Sequence, residues 1–320
     1  MSERINRENI LKRVNHSNAC RLFKIEKVWG MMKKSGYVAI IGKPNTGKST
    51  LLNRILNVNI SAVSKKAQTT RAAVLGIFND ENSQIIFYDT PGIIKSKNLM
   101  EEEMMKDIEK VIQSSDIIVY IHDNKNWKDE RINFKVRKNL FEFVLLNKID
   151  LLKQEEANEI IEELEKKYSL PVIPISAATG YNIDRFIEEI KSHLPHNVLF
   201  YPDDIVSEKP ERFFVAEFIR QVVFETYGQE IPYSTGIIVD EFKEKVEGKD
   251  YIKVILLVER ESQKRILIGE NGRMIKKVGI ESRKLIENFL EREVFLELLV
   301  KVSPNWKNKK NIVKKMWEQI

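Results

Sequence analysis

A chain of 320 residues, 42% hydrophobic and 31% charged, with a single cysteine, Cys20, fits a soluble globular protein of about two domains at roughly 150 residues each. No apolar run approaches the ~20 residues that cross a bilayer, and one cysteine excludes an internal disulfide and points to a reducing compartment. The net charge of +6 invites a nucleic-acid reading, but residues 1–34 hold nine Lys+Arg against three acids, residues 35–200 hold 22 against 23, and residues 201–320 hold 22 against 21. The whole excess sits in the N-terminal extension, so in the remainder only local basic patches bear on nucleic acid.

From Tyr37 short apolar segments alternate with helical ones. "YVAIIG", "VLGIF", "IIFYDT", "DIIVYIHD", "FVLLNK" and "PVIPIS" read as strands, and "STLLNRIL", "EEEMMKDIEKVIQ" and "EEANEIIEELEKKY" as helices between them. That alternation predicts an α/β sheet with helices on both faces. It ends near Pro195 and Pro202, which places a domain boundary at about residue 200. The second half opens with a helix, "ERFFVAEFIRQVVFETY", and two strands, "STGIIVDEFKEK" and "DYIKVILLVER", around a turn at Gly248. A short helix, a glycine loop, a longer helix to about Arg292, the strand "VFLELLVKV" and a basic terminal helix complete an α+β pattern.

"GKPNTGKS", Gly42 to Ser49, follows a strand and opens a helix. Its glycines let backbone N–H groups turn inward around phosphate oxygens, Lys48 reaches the β/γ-phosphates, and the Ser49 hydroxyl meets Mg²⁺; Thr46, Gly47 and Thr50 belong to the same cradle. "DTPG", Asp89, Thr90, Pro91 and Gly92, ends another strand, where the carboxylate holds the Mg²⁺ shell and the Gly92 N–H meets the γ-phosphate. In "NKID", Asn147, Lys148 and Asp150, the aspartate accepts the N1–H and N2–H₂ edge of guanine; in "SAATG", Ser176, Ala177 and Ala178, the Ala177 N–H donates to guanine O6. Four such elements in order, each at a strand end, indicate GTP rather than ATP. The loop "SKKAQTTRAAVLGI" lies where a γ-phosphate sensor belongs; Thr70 is the candidate Mg²⁺ ligand and Thr69 the alternative. Ile93 follows the DTPG motif, and its side chain cannot orient a water, so catalysis is expected to rest on Lys48, Thr70, Gly92, Mg²⁺ and another charge. Asn45 either ligates a monovalent cation beside the phosphates or caps the loop.

A second glycine-bracketed loop, "LIGENGRMIKK", runs from Leu267 to Lys277. With Gly269 and Gly272 at its ends, and Glu270 and Asn271 between, a backbone can approach a sugar-phosphate chain closely, and the N–H groups of the following helix point at phosphate. Residues 262–285 carry Lys264, Arg265, Arg273, Lys276, Lys277, Arg283 and Lys284 against Glu270 and Glu281. This points to single-stranded RNA bound by a KH module, with Glu270 mildly opposed to phosphate.

The segments "GKPNTGKSTLLN", "SKKAQTTR", "YDTPG", "NKID", "PISA", "ERFFVAEFIR", "EIPYS", "VERESQKRILIGENGRMIKKVG" and "VKVSPNW" resemble the bacterial Era family of ribosome-assembly GTPases over about residues 35–320. The resemblance implies a Ras-like P-loop G domain over 35–200, then an α+β type II KH domain over 201–320. It implies a protein that hydrolyses GTP slowly with Mg²⁺, and Asn45 falls where potassium-stimulated relatives hold K⁺. It further implies binding to the 3′ end of small-subunit ribosomal RNA and to the 30S particle. A monomer in the cytoplasm is expected, with peripheral contact at the inner face of the cell membrane.

Thr46 stands where the family commonly has valine, a change expected to be tolerated at an exposed position. A tRNA-modifying GTPase of the TrmE type would need a C-terminal cysteine, which this sequence lacks. A membrane-associated switch without RNA would use the basic helix between Lys307 and Trp317; the competing expectation is that this helix packs on the KH sheet. Residues 1–34 have no family counterpart, and Glu3, Glu8 and Glu26 speak against an organellar presequence. A translation start at Met31 or Met32, with the upstream residues not native or disordered, is the first expectation for them. The second is a basic arm gripping RNA or anionic membrane through Arg4, Arg7, Lys12, Arg13 and Arg21.

Overall fold

The structure, a computed structural model, describes residues 33–63, 70–129, 132, 134, 140–228 and 230–317. The readings of residues 1–32, and Thr69, lie outside them.

Strands β1 (Lys33–Gly42), β2 (Val74–Asn79), β3 (Ser83–Asp89), β4 (Ile117–His122), β5 (Phe141–Leu146) and β6 (Val172–Pro174) form one sheet in the order β2-β3-β1-β4-β5-β6. All neighbours are parallel except β2 and β3. Parallel strands are covered on both faces and so read as continuous apolar runs; every residue of β4 is buried. Helices α1 (Lys48–Leu56) and α4 (Ile183–His193) pack on one face through Leu51, Leu52, Phe186 and Ile190. Helices α2 (Leu99–Ser114) and α3 (Gln154–Tyr168) pack on the other through Ile108, Ile112, Ile160 and Leu164. The loops leaving the C-terminal ends of β1, β3, β5 and β6 gather at one edge, where ligands bind in open α/β sheets.

β1 starts earlier than the expected limit of the N-terminal extension. Lys33 and Lys34 are strand residues because the short β7 (His196–Asn197) pairs antiparallel with them. Pro195 is part of this closure, its carbonyl accepting the Ser35 N–H at 3.0 Å.

His122 ends β4 at 2% exposure and shares a 2.8 Å hydrogen bond with the Tyr168 hydroxyl, which also accepts the Ile132 N–H. Burial, helped by the Lys167 charge, pushes its pKa down to about 4. Folding stability from this group is full above the unfolded value of about 6.5 and is lost as pH falls toward 4, because only the unfolded chain then takes up the proton. Between pH 7.5 and 5 the loss is about 2 kcal/mol. Urea unfolding of wild type and His122→Asn is expected to show the shallower acid loss in the variant; parallel pH slopes would disprove the effect.

The second unit comprises α5 (Glu211–Thr226), α6 (Ile231–Ser234), β8 (Gly236–Lys243), β9 (Asp250–Val258), α7 (Glu261–Ile268), a 3₁₀ turn (Glu270–Gly272), α8 (Arg273–Leu290) and β10 (Val294–Val302). Its sheet runs β10-β9-β8, with β8 antiparallel and β10 parallel to β9. Helix α5 is buried nearly all round, chiefly against α8 and β8. The terminal helix α9 (Lys310–Trp317) buries Val313 and Met316 with Trp306, Ile238, Ile255 and Leu257, and Met100 and Met104 of α2 join that cluster. The short α6 was not legible in the sequence.

The two units meet through polar contacts as well. Arg71, 4% exposed, donates to the carbonyls of Thr235 at 2.9 Å and Pro232 at 3.1 Å, beside the buried pair of Arg220 and Glu217. The segment joining the units lies along the first sheet. The Ile77 N–H donates to the Val206 carbonyl at 2.8 Å, and Gln84, fully buried, accepts the N–H groups of Phe200 and Tyr201.

Candidate functional site

The loop from Gly42 to Ser49 has the backbone its composition demands. Gly47 has φ +96°, and a Cβ there would lie 2.2 Å from Asn147 Nδ2; a Cβ on Gly42 would press the Ile121 carbonyl oxygen at 2.5 Å. Only glycine meets both demands. Asn45 is exposed with φ 66°. Thr46 is not at the exposed position expected of it. It is fully buried, and its hydroxyl donates to the Lys43 carbonyl at 3.0 Å, so the hydroxyl closes the loop from within. Lys48 Nζ donates to the carbonyls of Gly42 at 3.1 Å and Lys43 at 2.8 Å. Burial lowers its pKa to about 8 against the opposing pull of Asp89.

Ser49, Thr70 and Asp89 come together. Ser49 Oγ donates to Asp89 Oδ2 at 2.6 Å and lies 2.9 Å from Thr70 Oγ1. Asp89 is fully buried, and its Oδ1 has no hydrogen-bond partner among the described residues. Burial raises the Asp89 pKa, opposed by the Lys48 charge and by hydrogen bonds from Ser49, Ser61 and Thr70. A buried carboxylate oxygen left unpaired costs on the order of 1–3 kcal/mol, and two hydroxyls beside it form an all-oxygen donor set suited to Mg²⁺. The residues therefore fit the ion. Ser61, which shares Asp89 Oδ2 at 2.8 Å, belongs to no motif and was missed.

The DTPG segment is pinned to the phosphate loop. Thr90 Oγ1 donates to the Ile40 carbonyl at 2.7 Å, the Ile93 N–H donates to the Gly42 carbonyl at 3.1 Å, and a Cβ on Gly92 would strike Pro44 within 2.8 Å. The Ile93 side chain packs with the apolar cluster under β1 and β4.

At the far end, Asn147 is a brace. Its Nδ2 donates to the Thr46 carbonyl at 2.8 Å and its Oδ1 accepts the Ala177 N–H at 2.9 Å. The Ala177 N–H, expected to face the base, is thus engaged by Asn147 here. Ser176 Oγ donates to Asp150 Oδ1 at 2.6 Å, which orients that carboxylate. Lys148, with φ 64°, bonds Asp123 at 2.6 Å and the Asn45 carbonyl. Asp123 was missed, although its position just after a parallel strand was a usable signal. Asn147, Lys148, Asp150, Asp123 and Ala177 line one cleft of about 800 Å³ together with Asn45, Lys48, Ser49, Thr50, Thr70, Thr90, Gly92 and Ala178, while Thr46, Asp89, Pro91 and Ser176 lie behind its lining.

The second loop joins α7 to α8. Gly269 has φ +73°, and a Cβ there would lie 2.5 Å from the Met274 side chain; Gly272 has φ +75° with open space around it. Asn271 is also left-handed, at φ 51°. The Tyr227 hydroxyl, buried, donates to the Leu267 carbonyl at 2.6 Å and anchors the end of α7. Arg265, Glu270, Asn271, Arg273, Lys276 and Lys277 are exposed and Lys264 is half-buried. Arg283 and Lys284 pair with Glu287 and Glu281 on their own helix. Among the described residues the other five cations have no acidic partner, which leaves the charge beside the glycines uncompensated.

Comparison with known proteins finds a family match for each of the two units. The family described as 50S ribosome-binding GTPases matches residues 37–172, and the KH domain family matches residues 230–307. The chain is 38% identical over 291 residues to GTPase Era of Halothermothrix orenii, covering 89% of this chain and 99% of that one. It is 42% identical over 290 residues to the chloroplastic GTPase ERA1 of Zea mays, covering 88% of this chain and 70% of the relative. A crystal structure of Era in complex with MgGDPNP and nucleotides 1506–1542 of 16S ribosomal RNA superposes with a TM-score of 0.83 at 35% identity, over 89% of this chain and 98% of that one. Aquifex aeolicus Era bound to GDP and AlF₄⁻ gives 0.82, also at 35% identity, over 88% and 98%.

Fold and cleft thus define a P-loop GTPase joined to a KH domain. The chain belongs to the Era family of GTPases.

Proposed function

We propose that this GTPase acts in assembly and maturation of the small ribosomal subunit, binding the 3′ end of small-subunit ribosomal RNA through residues 201–320 while residues 35–200 bind and hydrolyse GTP. The observation that carries the RNA half is the glycine loop with five uncompensated cations around it. A neighbour of 0.83 TM-score was crystallised with a 16S ribosomal RNA segment, which supports the same partner here. GTP occupies the 800 Å³ cleft, its base on Asp150, Asn147, Lys148 and the Ser176–Ala178 turn. Its phosphates lie in the loop from Gly42 to Thr50, against Lys48, Thr90, Pro91 and Gly92. Ser49, Thr70 and Asp89 hold Mg²⁺, which when bound offsets phosphate charge. Lys264, Arg265, Arg273, Lys276 and Lys277 face the RNA backbone, and Gly269 to Gly272 admit it.

A membrane switch is less well supported. No helix among the described residues is long and apolar enough to cross a membrane, and the apolar side of α9 is occupied by Trp306 and the β8–β9 surface. We place the protein in the cytoplasm as a monomer.

The test is binding of a labelled strand matching the small-subunit RNA 3′ end, with a GTP analogue and with GDP, over a salt series. Binding should exceed that of a scrambled strand and fall steeply with salt, as released counterions require. Equal affinity for both strands would defeat the assignment. Asn45 is the proposed K⁺ ligand, with its left-handed backbone at the mouth of the cleft; replacing K⁺ by Na⁺ should slow hydrolysis, and equal rates would remove the ion from the account.

A further inference from the structure

The stretch between α1 and the Thr70 loop is sewn down by one side chain. Asn53 lies on α1 one turn beyond Ser49. Its Oδ1 accepts the N–H groups of Ile60 at 3.1 Å and Ser61 at 3.0 Å, and its Nδ2 donates to the Ser61 carbonyl at 2.8 Å. Three hydrogen bonds from a single amide leave the Ser61 backbone one place to be. Ser61 is 3% exposed, and from that place its hydroxyl reaches Asp89 Oδ2 at 2.8 Å.

Asp89 Oδ2 is therefore held twice, by Ser49 from α1 and by Ser61 from the loop root. This double hold fixes the carboxylate plane, and Oδ1 is left buried with no hydrogen-bond partner among the described residues. Thr70, at the other root of the same loop, lies 2.9 Å from Ser49 Oγ and also hydrogen-bonds the Asp89 carboxylate. The two roots have different attachments. Thr70 meets only side chains of the site, Ser49 and Asp89, among the described residues, whereas Ser61 is tied through its backbone to α1 and through its hydroxyl to the end of β3.

We infer that Ser61 is a positioning residue for the magnesium site, keeping Asp89 oriented for the ion through its hydroxyl, with Asn53 holding Ser61 in place. The inference rests on the Mg²⁺ reading of Ser49, Thr70 and Asp89. Groups of this kind, which touch a ligand rather than the metal, typically change metal affinity 10- to 100-fold when removed. Ser61 is held by α1 through Asn53 and not by any group in the cleft, so its hold on the carboxylate does not need the γ-phosphate, and Mg²⁺ retention with GDP should depend on it.

The experiment measures release of a fluorescent GDP from the full chain as free Mg²⁺ is varied, with an EDTA arm. For Ser61→Ala the Mg²⁺ concentration giving half-maximal slowing is expected to rise about tenfold or more, while release in EDTA stays within about twofold of wild type and Ser61→Thr recovers most of the loss. Asn53→Ala, which keeps the hydroxyl but frees its backbone, should move the same midpoint by a smaller factor. An unchanged midpoint in Ser61→Ala overturns the inference. So does faster release by the same factor in EDTA, which would make Ser61 a support for the nucleotide itself. Wild-type release indifferent to Mg²⁺ would instead remove the magnesium reading beneath it.

Discussion

Asp150→Asn is expected to lower GTP affinity by at least a hundredfold and to raise affinity for xanthosine triphosphate. The Asp150 carboxylate has one oxygen committed to Ser176, so its plane is fixed while the group still accepts from a base. Guanine offers two adjacent donors, N1–H and N2–H₂. Hydrogen bonds to a charged acceptor contribute about 1.5–3 kcal/mol each, and two of them amount to more than two powers of ten in affinity. Asparagine replaces an acceptor by an NH₂ that meets the guanine amino group donor to donor. Xanthine carries an oxygen there, and the mismatch disappears. Competition of GTP and xanthosine triphosphate against a fluorescent guanine nucleotide reads the change directly; a variant that still binds GTP like wild type would show that Asp150 does not read the base.

The second large effect concerns the glycine loop. Gly269→Asp with Gly272→Asp should reduce RNA affinity at least a hundredfold while nucleotide affinity in the first unit stays within about twofold. Two carboxylates would meet phosphate where backbone now stands, against a local field made by Lys264, Arg265, Arg273, Lys276 and Lys277. The two sites differ physically. At Gly269 a side chain also collides with Met274, so part of the effect would be distortion of the loop. At Gly272 the space is open and only the left-handed φ must be borne, which costs about 1 kcal/mol for most residues and less for asparagine. Gly272→Asp alone is therefore the cleaner test, and Gly272→Asn should do much less. If Gly272→Asp binds a strand matching the small-subunit RNA 3′ end as tightly as wild type, the loop is not the RNA contact.

Legibility in the sequence followed the range of the interactions. Strands β1, β3, β4 and β5 were visible because burial on both faces forces an unbroken apolar run, as in "IIVYIH". The phosphate loop was visible because its glycines answer a local demand on φ, as Gly47 shows. What could not be read were contacts that form only when distant segments close. Ser61 reaches Asp89 across 28 residues and Arg71 reaches Thr235 across 164; neither contact leaves a periodic mark. Thr46 misled because a loop position was taken for an exposed one, when the loop wraps its hydroxyl inward. Helix α5 is buried nearly all round, so no apolar stripe in its sequence marks which side meets α8 and which meets β8.

The path of the joining segment bears on how the edge of the first sheet is covered. β2 is the outermost strand of the first sheet, and an outer strand with bare N–H and C=O groups is a template for pairing with another chain. Here residues 200–207 lie over that margin: Val206 takes the Ile77 N–H, Ser207 donates to the Leu75 carbonyl, and Tyr201 and Ile205 cover Leu75, Ile77 and Ile86. The tether between the two units is thereby also a guard on the first, and a nucleotide-binding fragment severed at residue 200 would bare both an unpaired strand and an apolar strip, making it prone to aggregate through a surface the whole chain never exposes.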